Sequence, residues 1–343
     1  MAVMVTGGSG FVGINLVKKL GDQGAEVVSF SRGGFQGEFE KFIGPSICRV
    51  HFVKGDILNA AEIRRAIREH GAEVLIHASA MTPATPSMER SLWRGTVQVN
   101  VEGTVNTLEA ALAEKVPRFV YISSVSVYGE QDPDQPVLET ARPRPRVVYG
   151  ITKYAGELLS LRFSDLFEGL DVRAVRISTI YGPMERPTRT RHLPSHIYDW
   201  CAAALSGKRI EVWENVNLKR DFTYVEDIVD GIILVSFASF PQHRVYNISS
   251  GIASSLLEVL NTIQKLEPGF RFEVIPPTGR EEFMRNLPRG PLDITRAHQE
   301  FNFKPRYTLE MGLQKYLEWL RTSFNIHKGA EMEREQHQPE EFV

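Results

Sequence analysis

Short apolar runs alternate with amphipathic stretches along the first half of the chain. The runs predict strands and the stretches between them predict helices. Runs such as VLIH at 74–77 are apolar throughout, which is typical of a parallel sheet covered on both faces. We therefore predict a Rossmann-type, doubly wound parallel α/β sheet. Its strands are predicted at Ala2–Thr6, Glu26–Ser29, Val50–Lys54, Val74–His77, Phe119–Ser123 and Val172–Ile177. The helices are predicted at Phe11–Leu20, Glu62–Glu69, Thr96–Glu114 and Val148–Leu166.

Beyond residue 180 the predicted elements become shorter, after a stretch rich in proline and arginine. We expect an N-terminal domain at 1–180 and a smaller C-terminal α/β lobe at 181–325. A strand near 244–248 is expected to return to the main sheet. The tail, 327–343, is charged and nearly free of large apolar residues, so we predict that it is mobile.

Composition excludes several classes of function. The 343 residues include 40 Lys+Arg and 42 Asp+Glu, a net charge of −2, whereas a dedicated nucleic-acid binder is normally basic. No apolar run reaches the roughly 18 residues of a membrane span, and the N-terminus leads directly into a strand rather than a secretory signal. The two cysteines, Cys48 and Cys201, supply neither a disulfide framework nor a metal site. We predict a soluble, cytoplasmic enzyme with no metal and no nucleic-acid or membrane partner.

A glycine-rich turn follows the first strand directly, at Thr6–Gly13 (TGGSGFVG). Its glycines satisfy both GxGxxG, through Gly8, Gly10 and Gly13, and GxxGxxG, through Gly7, Gly10 and Gly13. A strand, a tight turn and a helix in this order place backbone N–H groups and the positive helix end against a pyrophosphate. The turn therefore predicts that the domain at 1–180 binds a dinucleotide, and the lobe at 181–325 is then expected to bind the substrate.

The end of the second strand bears on which dinucleotide is bound. An acidic residue there accepts hydrogen bonds from the ribose of NAD, whereas an arginine accommodates the 2′-phosphate of NADP. This chain has Ser31-Arg32-Gly33, so Arg32 favours NADP, with NAD as the alternative. Asp56, after the third strand, is placed to accept from the adenine amine.

Tyr149 and Lys153 are four residues apart on a predicted helix and so share one face. An ammonium beside a phenol favours the phenolate, which would make Tyr149 an acid or base for a substrate hydroxyl at neutral pH. Ser123 and Ser124 end the fifth strand, at the edge where such sheets bind ligands. These residues predict an acid–base centre.

At these positions the chain resembles the extended short-chain dehydrogenases/reductases, whose members include nucleotide-sugar epimerases and dehydratases. The motifs that carry the resemblance are collinear and reach about Leu320: TGGSGFVG, Gly55-Asp56, His77–Ala80, Asn100–Thr104, Ile122–Gly129, Tyr149/Lys153, Tyr181-Gly182-Pro183, Arg220–Val225 and Lys304–Leu313.

The resemblance implies a role for each matching residue. Tyr149 is the acid–base, Lys153 orients the nicotinamide ribose and tunes the tyrosine, and Ser124 polarises the reacting oxygen. The implied cofactor-binding residues are Gly7, Gly10, Phe11, Val12, Gly13, Ser31, Arg32, Asp56, Ile57, Ala78, Ser79, Ala80, Asn100, Tyr149 and Lys153, with Asn100 more structural than catalytic. The implied substrate-binding residues are Thr82, Ser124, Thr179, Arg189 and Arg220.

The reaction is open among several members of this fold. We expect an NAD(P)-dependent sugar epimerase, acting on a nucleotide sugar by transient hydride transfer. An NADP-preferring reductase or dehydrogenase of an anionic carbonyl compound is the alternative. A 4,6-dehydratase is disfavoured because Val125-Ser126 stands where those enzymes carry Asp-Glu, and a non-catalytic dinucleotide-binding protein is disfavoured because Ser124, Tyr149 and Lys153 are all present.

Three further features bear on the substrate and the assembly. Thr179 replaces the asparagine of nucleotide-sugar members, and WENVN at 213–217 replaces their glycine-aspartate-glycine turn. Arginines gather near the predicted cleft, which suits a carboxylate or phosphate: Arg142, Arg144, Arg146, Arg186, Arg189 and Arg191. The segment Met81–Arg94 is expected to line the substrate pocket, and the resemblance implies a homodimer formed through the helices Thr96–Glu114 and Val148–Leu166.

Overall fold

The computed structural model describes residues 1–33, 37–275 and 288–335, with side chains up to Thr322. The strands in these ranges are β1 Ala2–Thr6, β2 Glu26–Ser31, β3 Val50–Lys54, β4 Ala72–His77, β5 Arg118–Ser124, β6 Asp171–Ile177, β7 Thr179–Tyr181, β8 Ile210–Val212, β9 Lys219–Tyr224, β10 Val245–Ile248, β11 Ala253–Ser255 and β12 Phe272–Val274. The helices are α1 Phe11–Asp22, α2 Gly37–Ile43, α3 Ala60–His70, α4 Pro86–Val97, α5 Gly103–Ala113, α6 Val148–Leu166, α7 His196–Leu205, α8 Val225–Phe237, α9 Leu256–Leu266, α10 Thr295–Phe301 and α11 Leu309–Glu335.

Seven strands form one central sheet in the order β3-β2-β1-β4-β5-β6-β10, and every neighbouring pair is parallel. The predicted fold class is therefore confirmed. The order reverses between β1 and β4, the switch point where open sheets of this kind bind ligands. The last strand, β10, pairs with β6 from Val245↔Ala174 to Ile248↔Ile177, although about 70 residues separate the two strands in sequence.

Side chains of the central strands point alternately into two cores. On one face Val3 and Val5 pack with residues of α1, α2, α8 and α10, while Met4 packs on the other face with residues of α3 and α5. Because both faces are covered, the strands are apolar at successive positions, as the sequence pattern indicated.

A second, smaller unit of structure follows β6. Its strands form a three-stranded sheet, β11-β9-β7, and a two-stranded sheet, β12-β8. Helices α7, α9 and α11 cover a third core, in which Trp200, Leu260, Phe270 and Tyr316 are buried. The division of the chain at residue 180 into a cofactor domain and a substrate lobe remains a proposal.

One expectation differs from the structure. The helix expected from Thr96 begins at Pro86 instead, where Thr85 caps it and proline occupies its first turn, so most of Met81–Arg94 is helical. The last helix, α11, continues to Glu335 and so includes the first part of the tail from 327, whose mobility stays a prediction. Residues 336–343 lie outside the described ranges. None of the helices described is both long and apolar enough to cross a membrane.

Candidate active site

A cavity opens at the carboxyl edge of the central sheet, where the loops after β1, β4, β5 and β6 meet the smaller lobe. It brings together residues of the glycine turn, the end of β5, the start of α6 and the 182–195 loop. Of the residues expected in the site, those that line it are Gly10, Phe11, Val12, Gly13, Ala78, Ala80, Thr82, Ser124, Tyr149, Lys153, Thr179 and Arg220.

The glycine turn has the geometry of a phosphate cradle. Gly7 has φ of +70°, and a Cβ there would lie 2.9 Å from the Cα of Ser79. A Cβ at Gly13 would collide with the carbonyl of Gly7 and so force α1 away from the turn. Gly10 caps α1 without a side-chain hydrogen bond, so the first N–H groups of the helix are available to an anion. The residues present therefore fit the pyrophosphate of a dinucleotide.

Ser124 and Tyr149 meet across the cavity. The hydroxyl of Ser124 accepts a hydrogen bond from the backbone N–H of Ser126 at 3.1 Å, which fixes its position at the end of β5. Tyr149 is hydrogen-bonded to this side chain. Burial raises the pKa of Tyr149, while the bond with Ser124 and the positive charge of Arg191 act in the opposite direction. From the sequence, Arg191 was expected only as one of the arginines near the cleft, and the positive charge acting on Tyr149 was assigned to Lys153.

Lys153 is buried one turn after Tyr149 on α6. Its ammonium lies over the ring of Tyr121, 4.1 Å from the ring centroid. Burial lowers the pKa of Lys153 to about 7, and the carboxylate of Glu157 opposes this shift. Tyr121 approaches α6 closely because residue 156 is glycine, where any Cβ would collide with the tyrosine hydroxyl. The lysine is thus held over an aromatic face, which favours its charged form.

Glu157 and Arg176 form a buried ion pair behind the acid–base centre. Arg176 Nη2 lies 2.5 Å from one carboxylate oxygen of Glu157, and its Nε donates to the other at 3.0 Å. The hydroxyl of Ser123 donates to that second oxygen at 2.6 Å. Because the pair joins β6, α6 and β5, it sets the position of Lys153 relative to Ser124.

Asn100 does not line the cavity. Its side-chain oxygen accepts from the N–H of Met81 at 2.7 Å, and its amide nitrogen donates to the Met81 carbonyl and to the Thr152 hydroxyl. It lies in a π-helical turn, Gln98–Glu102, between α4 and α5. Asn100 therefore anchors the loop after β4 to α6, which agrees with the structural role expected for it.

Four other expected cofactor residues lie at the ends of β2 and β3, on the opposite side of β1 from Tyr149. Arg32 and Asp56 face each other there, with Nη1 and Oδ2 separated by 3.8 Å. Ser31 and Ile57 are buried, and Ile57 packs against Gly103. Gly7 and Ser79 lie behind the turn, in contact with each other. None of these six residues lines the cavity.

The arginines near the cleft separate into two groups. Arg186, Arg191 and Arg220 line the cavity, together with Arg289, which sequence reasoning missed because no motif marks it. Burial lowers the pKa of Arg289 only to about 10, so its charge persists at neutral pH. By contrast Arg189 is exposed and does not line the cavity, and neither do Arg142, Arg144 and Arg146.

A family model described as "NAD dependent epimerase/dehydratase family" matches residues 3–249. The chain belongs to this family. The resemblance drawn from the motifs is thereby confirmed, and the protein is an enzyme of the extended short-chain dehydrogenase/reductase type.

Several relatives match almost the whole chain. UDP-glucuronate 4-epimerase 3 of Arabidopsis thaliana is 28% identical over 359 residues, which cover 96% of this chain and 78% of the relative. A putative UDP-glucose 4-epimerase of Methanocaldococcus jannaschii is 29% identical over 325 residues, covering 94% and 99%. The structure of MoeE5 in complex with UDP-glucuronic acid and NAD is similar with a TM-score of 0.80 at 29% identity, covering 94% of this chain and all of that one.

We predict that the ring of Tyr121 keeps Lys153 protonated. Tyr121→Leu removes the aromatic face, so the pKa of Lys153 should fall and the alkaline limb of the kcat–pH profile should move to lower pH by about half to one pH unit. Tyr121→Phe retains the ring and serves as the matched control. The alkaline limb of its kcat–pH profile should stay at the wild-type position. Equal profiles for the Leu and Phe variants would show that the ring has no such effect.

Proposed function

We propose that this enzyme is a UDP-sugar 4-epimerase that uses a tightly held nicotinamide dinucleotide. One observation carries the proposal: Ser124, Tyr149 and Lys153 line the same cavity as the glycine turn and the arginines Arg220 and Arg289. The turn suits a dinucleotide pyrophosphate, and the two half-buried arginines suit a second diphosphate. The relatives named UDP-glucuronate and UDP-glucose 4-epimerases support the choice of a UDP-sugar.

In the proposed reaction the protein moves one proton and positions one sugar carbon. When bound, the nicotinamide ring supplies an acceptor that takes a hydride from that carbon and later returns it. Tyr149 takes the hydroxyl proton as the carbon becomes a ketone and gives it back after the opposite face of the sugar has turned toward the ring. Ser124 holds the same oxygen, and the charge of Lys153 stabilises the phenolate. No net oxidation of the sugar results.

The decisive experiment follows epimer formation without added cofactor. Purified enzyme is incubated with UDP-glucose or UDP-glucuronate, and the products are separated by anion-exchange chromatography. We expect the C4 epimer to accumulate, and Tyr149→Phe to lower kcat on the order of 10² or more while dinucleotide binding is retained. Stoichiometric consumption of NADPH would instead support the alternative reductase, and wild-type turnover by Tyr149→Phe would remove the tyrosine from the mechanism.

We further propose that Arg32 bears on the choice between NAD and NADP. Its guanidinium lies half-exposed at the end of β2, within 3.8 Å of the Asp56 carboxylate, so a ribose 2′-phosphate there would meet a cation. Arg32→Asp should shift the ratio of dissociation constants toward NAD by about tenfold or more, measured by fluorescence titration of both dinucleotides. An unchanged ratio would show that Arg32 does not contribute to the discrimination between NAD and NADP at the ribose 2′ position.

We also propose that the enzyme is a homodimer, with α4, α5 and α6 forming the contact. Exposed apolar side chains lie on α6 at Ile151, Leu158 and Leu159, and on α4 at Trp93. An isolated domain rarely exposes so many large apolar groups on neighbouring helices. Light scattering should give the mass of a dimer for the wild type and of a monomer for Leu158→Glu. A monomeric wild type would contradict the proposal.

A further inference from the structure

Ser124 is followed by a tight turn whose backbone fixes the serine hydroxyl. The short 3₁₀ turn Val125–Val127 begins directly after Ser124, the last residue of β5. The N–H of Ser126 donates to the Ser124 hydroxyl at 3.1 Å. That N–H belongs to the same peptide unit as the carbonyl of Val125, and a peptide unit is planar. Any contact that fixes the Val125 carbonyl therefore also fixes the N–H that positions Ser124.

Arg289 makes such a contact from outside the central sheet. Its Nη1 donates to the Val125 carbonyl at 3.0 Å, and the N–H of Tyr128 donates to the same oxygen at 3.1 Å. In a trans peptide the carbonyl and the N–H point in opposite directions. Arg289 therefore bonds to one edge of this peptide while Ser124 bonds to the other. A carbonyl that accepts hydrogen bonds also makes the N–H of its own peptide a stronger donor.

The main chain around Arg289 is held by the segment that follows the same turn. The carbonyl of Pro288 accepts from the N–H of Gln131 at 3.1 Å, and the N–H of Gly290 donates to the carbonyl of Asp132 at 3.1 Å. The two chains approach so closely that a Cβ at Gly290 would collide with a carbonyl of that segment. Arg289 therefore extends from a backbone that is fixed on both sides, as a residue that holds another group in place must be.

Arg289 keeps its charge and has donors beyond the one that Val125 uses. Burial lowers the pKa of its guanidinium to about 10, so the side chain is cationic at neutral pH. It lines the cavity, as Ser124 and Val125 do. A guanidinium has five N–H groups in a planar fork. An anionic group of the substrate can therefore bind at Arg289 without displacing it from the turn.

We propose that Arg289 is a positioning residue for Ser124: by holding the peptide that joins Val125 to Ser126, it keeps the Ser124 hydroxyl directed at Tyr149 and at the reacting oxygen of the sugar. Arg289 then acts on the chemical step, and not only on the binding of a diphosphate. This role rests on the proposed 4-epimerase function, in which Ser124 holds the oxygen that Tyr149 deprotonates. The bond with Ser124 also lowers the pKa of Tyr149, so displacement of the serine should leave the tyrosine with a higher pKa.

The test is a double-mutant cycle between Arg289 and Ser124. Epimerisation of UDP-glucose or UDP-glucuronate, whichever the wild type converts faster, is measured over a range of pH for the wild type, Arg289→Met, Ser124→Ala and the double variant. Arg220→Met, alone and with Ser124→Ala, is the matched control, because Arg220 lines the same cavity but reaches it from β9. Arg289→Lys retains the charge and a donor for the Val125 carbonyl. Thermal melting with bound dinucleotide verifies folding, and Arg289→Gln takes the place of Arg289→Met in the cycle if the latter does not fold.

We expect Arg289→Met to lower kcat about tenfold, but less than about twofold when residue 124 is already alanine, because Arg289 acts through the serine. The limb of the kcat–pH profile that rises as Tyr149 loses its proton should move to higher pH by about half to one unit in Arg289→Met. Arg289→Lys should recover part of the lost kcat. Arg220→Met should raise KM, and its effect on kcat should be the same with serine or alanine at position 124.

Two results would overturn the positioning role of Arg289 while leaving the 4-epimerase proposal intact. One is an equal loss of kcat from Arg289→Met with serine and with alanine at position 124, and the other is a rise in KM alone. Failure of the wild type to form a C4 epimer from any UDP-sugar would overturn both.

Discussion

The buried ion pair between Arg176 and Glu157 is the interaction on which the active site depends. It joins β6 to α6, and through Ser123 to β5, so three elements share one charge-paired contact. Burial alone would lower the pKa of Arg176, but the carboxylate of Glu157 raises it, and the pair stays charged within the core. Arg176 also donates to the hydroxyl of Tyr128, which donates in turn to Asn247 on β10. A buried pair is costly unless its remaining polar groups are bonded, and here they are.

The positive cavity depends on acids placed outside it. The net charge of −2 is the sum over the whole chain. Among the described residues that line the cavity, by contrast, lysine and arginine are present and aspartate and glutamate are not. Glu157 lies behind Lys153, Glu185 behind Arg191, and Glu38 is within 3.8 Å of Arg186. Each acid thus stabilises its cation without exposing negative charge to the ligand. This arrangement lets a nearly neutral protein present a strongly positive site.

Much of the fold and of the candidate active site could be predicted from the sequence, because the relevant signals are local. The glycine turn, Ser124 and the Tyr149/Lys153 spacing each follow from a strand end or one helical turn, and the structure brings all of them to one cavity. Arg191 could be named only as one of six arginines near the cleft, and Arg289 not at all, because both reach the cavity from loops whose paths depend on distant partners. The same is true of Tyr121, whose contact with Lys153 depends on the fit between β5 and Gly156. The start of α4 at Pro86 was not predicted, although proline is compatible with the first helical turn.

The 182–195 loop is attached to the rest of the protein at a few defined points. Asn15 donates to the carbonyl of Pro183 at 3.0 Å, and Thr82 donates to the carbonyl of Thr190 through both its N–H and its hydroxyl. Inside the loop, Glu185 bonds to Ser195 and closes it on itself. Between these attachments, Arg186, Thr188 and Arg191 line the cavity, and none of them belongs to a strand of the central sheet. A change of sequence at these positions would therefore alter the wall of the cavity while leaving Ser124, Tyr149 and Lys153 on their own strand and helix.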